Sequence, residues 1–520
     1  MIRTELIASV PELLRRHAEA RGDKVAFADC SGAVTYSQLL ESMGNLAGFL
    51  RHLGINSGDA IAILLPNSVQ WIQACLAAAR AGAVAVPISY GATIPEISYR
   101  LRDARCKLVI TTDENAEKID RIRSEMPDLG PGIFVDWGGH AVDGKSFSDL
   151  VRNRPPVLAL DPTDIHQPSF IIYTSGTTGR AKGVLLSVHG MLWVTAACWA
   201  PITGLSERDN VLSPLPLFHS YALNLSVLSI LATGASEYIL EGYSTAEVLR
   251  LLQAGSYTVM PGVPTMFHYL LQAVRNSPIR LPALRLCISA GAIMPASLNK
   301  SFEATLNVPL LDGYGITETS TMVTMNWPTG TRVMGSCGLP LPGLAVRLID
   351  REGRDVDPGT EGELIVRGPN VMPGYHNKPE ETANALRNGW YYTGDLAKSD
   401  ENGYLTITGR LKELIIRGGQ NIAPAEIEEV AVTFDGILDC AVVGAPHEHL
   451  GEVPVLFIVE KPGTQVDTAS LVEFCKVRLS AYKLPHAVHR IDQIPRTGSG
   501  KVLRFQLRER LKADEQFSAS

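Results

Sequence analysis

No C-x-x-C pair occurs among the eight cysteines (Cys30, Cys75, Cys106, Cys198, Cys287, Cys337, Cys440 and Cys475), and their scatter speaks against both a zinc site and a disulfide framework. Reduced thiols in a cytoplasmic protein are therefore expected. The chain also lacks any block of five or more basic residues and carries a formal net charge of −7. That combination argues against a broad nucleic-acid footprint, so any anion site must be local. Long apolar runs are missing as well. The longest, residues 222–235, is interrupted by Asn224, Ser226, Ser229 and Thr233 and is too short to span a bilayer, so it reads as a buried helix. At the N-terminus Glu5 and Pro11 break the unbroken apolar stretch that a secretory signal would need.

What is present begins with size. A chain of 520 residues is too long for one hydrophobic core, and two or more domains are expected. From about Val25 to Ala235, Val/Ile/Leu-rich runs at 60–65, 83–87 and 108–110 alternate with helical patterns at 71–81 and 97–104. Such alternation predicts α/β layers with mostly parallel strands. Beyond Gly335 short strands punctuated by glycine and proline, at 345–349, 362–366 and 403–407, predict a small antiparallel, barrel-like subdomain. After Gly409 the texture changes again, to a small α+β unit with a helix over 469–479 and a frayed tail after Leu511. The expected division is a large N-terminal domain, 1–409, and a C-terminal domain, 410–520.

The densest local signal is Tyr173-Thr-Ser-Gly-Thr-Thr-Gly-Arg-Ala-Lys-Gly-Val184, an apolar strand running into hydroxyls, glycines and one lysine. Gly176, Gly179 and Gly183 let backbone approach an anion, Thr174, Ser175, Thr177 and Thr178 offer neutral donors, and Lys182 adds charge. A nucleotide triphosphate is the expected ligand. A P-loop is excluded because Ala181 precedes Lys182 and Gly183 stands where a Mg²⁺-holding Ser or Thr belongs. The apolar run after the loop reads as strand.

Four further motifs follow: Gly313-Tyr-Gly-Ile-Thr-Glu-Thr319, Tyr391-Tyr-Thr-Gly-Asp395, Gly409-Arg-Leu-Lys-Glu-Leu-Ile415 and Pro495-Arg-Thr-Gly-Ser-Gly-Lys501. With the cradle, and in this order, they make the chain resemble the adenylate-forming superfamily over essentially its full length, its 4-coumarate-CoA-ligase-like acyl-CoA synthetases above all. The resemblance implies that Tyr314 stacks on adenine between Gly313 and Gly315, with Gly291 and Ala292 also against the purine. It implies that Thr317 meets the α-phosphate and that Glu318 helps hold Mg²⁺, a hard cation for which one carboxylate suffices when phosphates and waters complete the shell. Asp312, often an amide in relatives, borders the same site. Asp395 would accept from both ribose hydroxyls, as an acceptor-only carboxylate can.

The resemblance further places Arg410 near ribose or phosphate and Lys412 at the pivot of a mobile C-terminal domain. Lys501 is the implied adenylation lysine, a cation delivered where charge develops during attack at phosphorus. After rotation of the small domain, Gly418 and Gly419 would let a slim pantetheine arm pass, with Asn421 near the thiol path. The implied reaction joins a carboxylic acid to a thiol through an acyl-adenylate, with ATP, Mg²⁺ and CoA, or a carrier protein's phosphopantetheine, as participants.

For the acid, the implied pocket uses the stretch after Phe218-His219, residues 260–265, 290–294 and the turn at Gly313, with His219 as a gate beside the reacting carbonyl. Spacing through Tyr221, Leu225, Leu228 and Ala232 predicts one apolar helical wall. His219 stands where amino-acid-activating relatives carry an aspartate, and these segments contain no Lys or Arg, which disfavours amino acids and diacids. Arg285 and Arg332 flank the region. Aliphatic and aryl acids both remain open, as do a carrier-protein-loading enzyme, a luciferase-like oxidase and a catalytically silent nucleotide sensor, although retention of Lys182, Glu318, Asp395 and Lys501 together counts against the last.

Overall fold

The computed structural model describes residues 1–130, 132–135, 145–174, 181–276, 279–418, 420–497 and 500–518. Among these residues four sheets form. In the first, the strands Ala60–Leu64, Val84–Pro87 and Leu108–Thr112 run parallel and wholly buried, which explains why their sequences read as unbroken apolar runs rather than alternations. Its edge is the antiparallel hairpin of Pro168–Thr174 and Lys182–Ser187, with Thr174 opposite Lys182. The strand expected after the cradle is thus present.

The second sheet has nine strands and holds the parallel run Asn210–Ser213, Val259–Gly262, Leu286–Ser289 and Leu310–Tyr314. Register aligns Gly262, Ser289 and Asp312 at its carboxyl end, the edge at which open α/β sheets bind ligands. One face of this sheet is covered by a continuous buried helix over residues 220–233. Its middle, Leu223–Leu228, is wound as a π-turn. Every residue from Ala222 to Thr233 is buried, so this helix has no polar face. The single stripe expected from Tyr221, Leu225, Leu228 and Ala232 does not survive, because the widened turn rotates side chains away from 3.6-residue spacing.

The third sheet, Ala345–Ile349, Gly362–Arg367, Leu386–Arg387, Trp390–Ser399 and Leu405–Arg410, is antiparallel throughout. The chain leaves it at Arg410, turns, and enters the fourth sheet at Ile415. There Ile437–His447 and Gly451–Glu460 form a long antiparallel pair, flanked by the helices Pro424–Ala431 and Thr468–Lys476. The result is mixed α/β, a large N-terminal part followed by a smaller C-terminal one. The tail departs from expectation: a helix, Arg504–Ser518, continues past Leu511, anchored where Leu507 is fully buried. No described helix is long and apolar enough to cross a membrane.

Candidate functional site

The strand Leu310–Tyr314 ends in a glycine-flanked turn that only glycine permits at its centre. A Cβ on Gly315 would lie 1.5 Å from the Thr321 carbonyl oxygen. The returning chain holds Thr321 at φ 109°, a costly conformation for a β-branched residue, secured by Thr321 Oγ1 donating to the Ser220 carbonyl at 3.0 Å. This turn aims Tyr314 at Asp395. The Tyr314 hydroxyl donates to Asp395 Oδ2 at 2.5 Å, and Arg410 Nε reaches Asp395 Oδ1 at 2.6 Å. Asp395 and Arg410 face each other across adjacent strands, so the ion pair is set by sheet register.

Tyr314, Asp395 and Arg410 line a cavity of about 360 Å³, together with Gly291, Ala292, Asp312, Gly313 and Gly315. Its opposite wall comes from the C-terminal part, through Pro424, Glu428, Arg496, Gly500 and Lys501. The Lys501 carbonyl accepts from Thr497 N at 2.7 Å. Gly500, at φ +84°, packs against Val263 so closely that a Cβ would stand 3.3 Å from Val263 Cγ2. Burial and then Arg410 push the Lys501 ammonium down from its ordinary value, while Glu413, Asp395 and Glu318 oppose them. The lysine thus lies amid the charges of the site. Asp312 is different. It is 5% exposed, its Oδ1 has no hydrogen-bond partner, and burial pushes its carboxyl well up. A neutral acid or an unsatisfied acceptor at the cavity wall suits a flat heterocycle carrying an amine.

Next to the cavity lies a second group. Thr317 Oγ1 and Ser220 Oγ are 3.1 Å apart. Glu318 Oε1 accepts from the Tyr375 hydroxyl at 3.0 Å, and Lys182 Nζ lies 5.1 Å from the Tyr375 ring centre. Burial raises the Glu318 carboxyl, with the Tyr375 bond and the Arg410 charge opposing it. Tyr375 therefore joins the cradle lysine to the proposed cation ligand, a role no sequence signal announced. Glu413 was also passed over, although it stands inside the quoted hinge motif: it pairs with Arg504 at 3.1 Å, and Arg504 in turn with Glu428.

His219 precedes the buried helix with its ring 4.4 Å from Phe218 and its Nε2 buried without a partner. Burial drives its pKa down to about 4, so it is neutral at physiological pH. Lys412 lies in the turn after Arg410, where Leu411 N donates to Gly394 O at 2.9 Å. Gly418, at φ +56°, and the exposed Asn421 belong to the hairpin Ile415–Arg417 and Gln420–Ile422, which does not line the cavity. Ser175, Gly176, Thr177, Thr178, Gly179 and Gly419 lie outside the described residues. The two flanking arginines are engaged. Arg285 grips Asp209 at 2.8 and 3.0 Å, and Arg332 grips Glu303 at 2.5 and 2.7 Å.

Residues 14–376 match the AMP-binding enzyme family model and residues 426–501 that of the AMP-binding enzyme C-terminal domain. A feruloyl-CoA synthase of Amycolatopsis sp is 34% identical over 479 residues, covering 92% of this chain and 94% of that protein. The long-chain-fatty-acid–CoA ligase FadD13 of Mycobacterium tuberculosis is 34% identical over 504 residues, covering 96% and 98%. Among solved structures, the anthranilate CoA ligase AuaEII in complex with anthranoyl-AMP superposes with a TM-score of 0.92 at 27% identity, covering 98% of each chain.

Proposed function

The chain belongs to the AMP-binding enzyme family and is an AMP-forming acid–thiol ligase, and from that premise we propose how its residues divide the reaction. An ATP-dependent carboxylic acid–CoA ligase works in two steps. The acid's carboxylate attacks the α-phosphate of ATP, forming an acyl-adenylate and expelling pyrophosphate; the CoA thiol then attacks the activated carbonyl and expels AMP.

In our assignment Tyr314, Gly291 and Ala292 hold the purine, Asp312 faces its amine, and Asp395 holds the ribose. The carboxylate of Asp395 has lone pairs to spare beyond those that Tyr314 and Arg410 use. Thr317 and Lys182 address the phosphates with the hydroxyls of 174–178. Glu318 suits Mg²⁺ as a carboxylate held in place by the Tyr375 hydroxyl, and phosphates and waters would complete the shell. A bound Mg²⁺ would neutralise charge on the phosphates. Lys501 stabilises the attack at phosphorus, and the juxtaposition of its ammonium with Arg410, Asp395 and Glu318 is the observation that carries this reading. Neutral His219 gates the acyl entrance.

For the second step we assign Lys412 as pivot and Gly418, Gly419 and Asn421 to the thiol path, with the domain boundary between 409 and 410. Their position off the cavity is what an alternating small domain requires. The thiol is free CoA rather than a carrier protein, in line with the relatives' names; the compartment is the cytoplasm, supported by eight unpaired cysteines of which seven are buried. The acid is a monocarboxylate without a second charge. The relatives' names span an aryl and a fatty acid, but the engagement of Arg285 and Arg332 leaves neither free to pair with a second carboxylate. AMP release over a panel of octanoate, benzoate, 4-hydroxycinnamate, malonate and leucine, with CoA supplied or omitted, tests the reading. Sustained AMP release should require CoA and a neutral-tailed acid; AMP release only with a phosphopantetheinylated carrier protein would reassign the thiol.

A further inference from the structure

The ammonium of Lys501 ends a flexible four-carbon stem, so its aim depends on how firmly the backbone beneath it is held. That backbone has little stiffness of its own, because Gly500, at φ +84°, stands immediately before it. The peptide unit joining Gly500 to Lys501 is nevertheless gripped at both polar atoms. The Gly500 carbonyl accepts from Arg496 Nη1 at 2.9 Å, and Lys501 N donates to Thr497 Oγ1 at 3.1 Å. A peptide unit is planar, so fixing its oxygen and its N–H fixes the plane from which the Lys501 side chain departs. An antiparallel bridge between Arg496 and Val502, with Leu503 N donating to Pro495 O at 2.8 Å, joins the two flanks of this segment.

Arg496 is in turn held from outside. Its Nη2 lies 2.8 and 3.0 Å from the two carboxylate oxygens of Asp439, and its Nε lies 3.3 Å from Oδ2. Asp439 belongs to the strand Ile437–His447, paired along its length with Gly451–Glu460, and its Oδ1 also accepts from Cys440 N at 2.9 Å. A chain of contacts thus runs from a well-ordered sheet, through one carboxylate and one guanidinium, to the peptide plane beneath Lys501. Resting on the reading of Lys501 as the adenylation lysine, we propose that Asp439 and Arg496 are its positioning residues, a brace that aims the ammonium at the site of attack on phosphorus and acts through Lys501 rather than on substrate. The pair supplies geometry rather than charge. A guanidinium fork grips Asp439 and Gly500 at once, whereas a lysine at 496 keeps the charge but has one nitrogen in place of the fork. Both residues belong to the C-terminal part and turn with it, so the brace serves the first half-reaction and is idle in the second.

The test is Arg496→Lys, with Asp439→Asn beside it, scored by pyrophosphate release for adenylate formation and by thioester formation from preformed acyl-adenylate and CoA. Misplacing a reacting group by about 1 Å can cost about a hundredfold in rate. In both variants kcat for adenylate formation should fall about ten- to hundredfold, while KM for ATP and the rate of thioester formation stay within about threefold. A normal second step also certifies the fold, since it uses the same C-terminal part. The deciding measurement repeats Arg496→Lys in a Lys501→Ala background: with no lysine left to aim, the further loss in adenylate formation should be less than about twofold. An unaltered rate in Arg496→Lys, equal losses in both half-reactions, or an undiminished further loss in the Lys501→Ala background each overturn the inference. Should Asp439→Asn fail to fold, Arg496→Lys decides alone. Full-rate adenylation by Lys501→Ala itself would strike the assignment of that lysine and the brace with it, whereas absence of adenylate with every acid in the unaltered enzyme would strike the ligase reading.

Discussion

Asp395 and His219 each bring a buried polar atom to the site, yet the first is gripped by Arg410 and Tyr314 while Nε2 of the second has no hydrogen-bond partner. The nucleotide end of the site is preassembled from charges that compensate one another, because every turnover presents it with the same ligand. The proposed acyl end is entered past a single neutral ring, His219. Compensated charges confer affinity and position, whereas an uncompensated polar group in a dry setting confers selectivity, since only a matching ligand relieves it. The difference between the two ends can be tested by damaging each in turn.

The largest effect expected on the thiol step comes from the joint between the domains. Lys412→Pro should leave adenylate formation within about threefold but slow thioester formation about a hundredfold, because proline fixes φ where the backbone must swing. Stopped-flow measurement of the two half-reactions separates them, and unimpaired thioester formation would move the pivot elsewhere. At the nucleotide end, Asp395→Asn removes the charge that compensates the half-buried Arg410 and weakens an acceptor for ribose. ATP affinity should fall by about ten- to thirtyfold, in line with about 1.5–3 kcal/mol for a charged hydrogen bond. Equilibrium binding without acid checks this, and unaltered affinity would detach Asp395 from the nucleotide.

His219 gives a smaller, pH-dependent effect. Its ordinary value is 6.5 and burial lowers it to about 4, so between those limits the unfolded chain binds a proton that the folded chain refuses. Stability contributed at this position is intact above pH 6.5 and is lost as pH falls toward 4, by roughly 2 kcal/mol for a partly exposed ring. His219→Asn should therefore lose less apparent Tm than the unaltered chain on going from pH 7 to pH 5, by about 3 °C. Equal losses would show the ring to be less sequestered than its geometry indicates. The smallest effect is the absence of one: Arg285→Gln should alter acid preference by less than about twofold, since its guanidinium is already committed to Asp209.

These regions also differ in how far they could be read from sequence. Parallel buried strands betray themselves by unbroken apolar runs, and the nucleotide end is written in contiguous motifs because turns, glycines and their functional side chains must be adjacent. Gly315 is the clearest instance, with no room for a Cβ. Tyr375 could not be found that way, for it reaches Glu318 across 57 residues. The π-turn at Leu223–Leu228 was hidden for a related reason: periodicity analysis assumes the 3.6-residue spacing that this helix abandons.

The central claim is that one lysine, carried into the nucleotide cavity by the C-terminal part of the chain, serves the first half-reaction alone. Lys501→Ala tests it most directly, with adenylate formation followed by pyrophosphate release and thioester formation followed from preformed acyl-adenylate and CoA. The account predicts a loss of roughly two to three orders of magnitude in the first and near-normal rates in the second. Equal losses in both would contradict it.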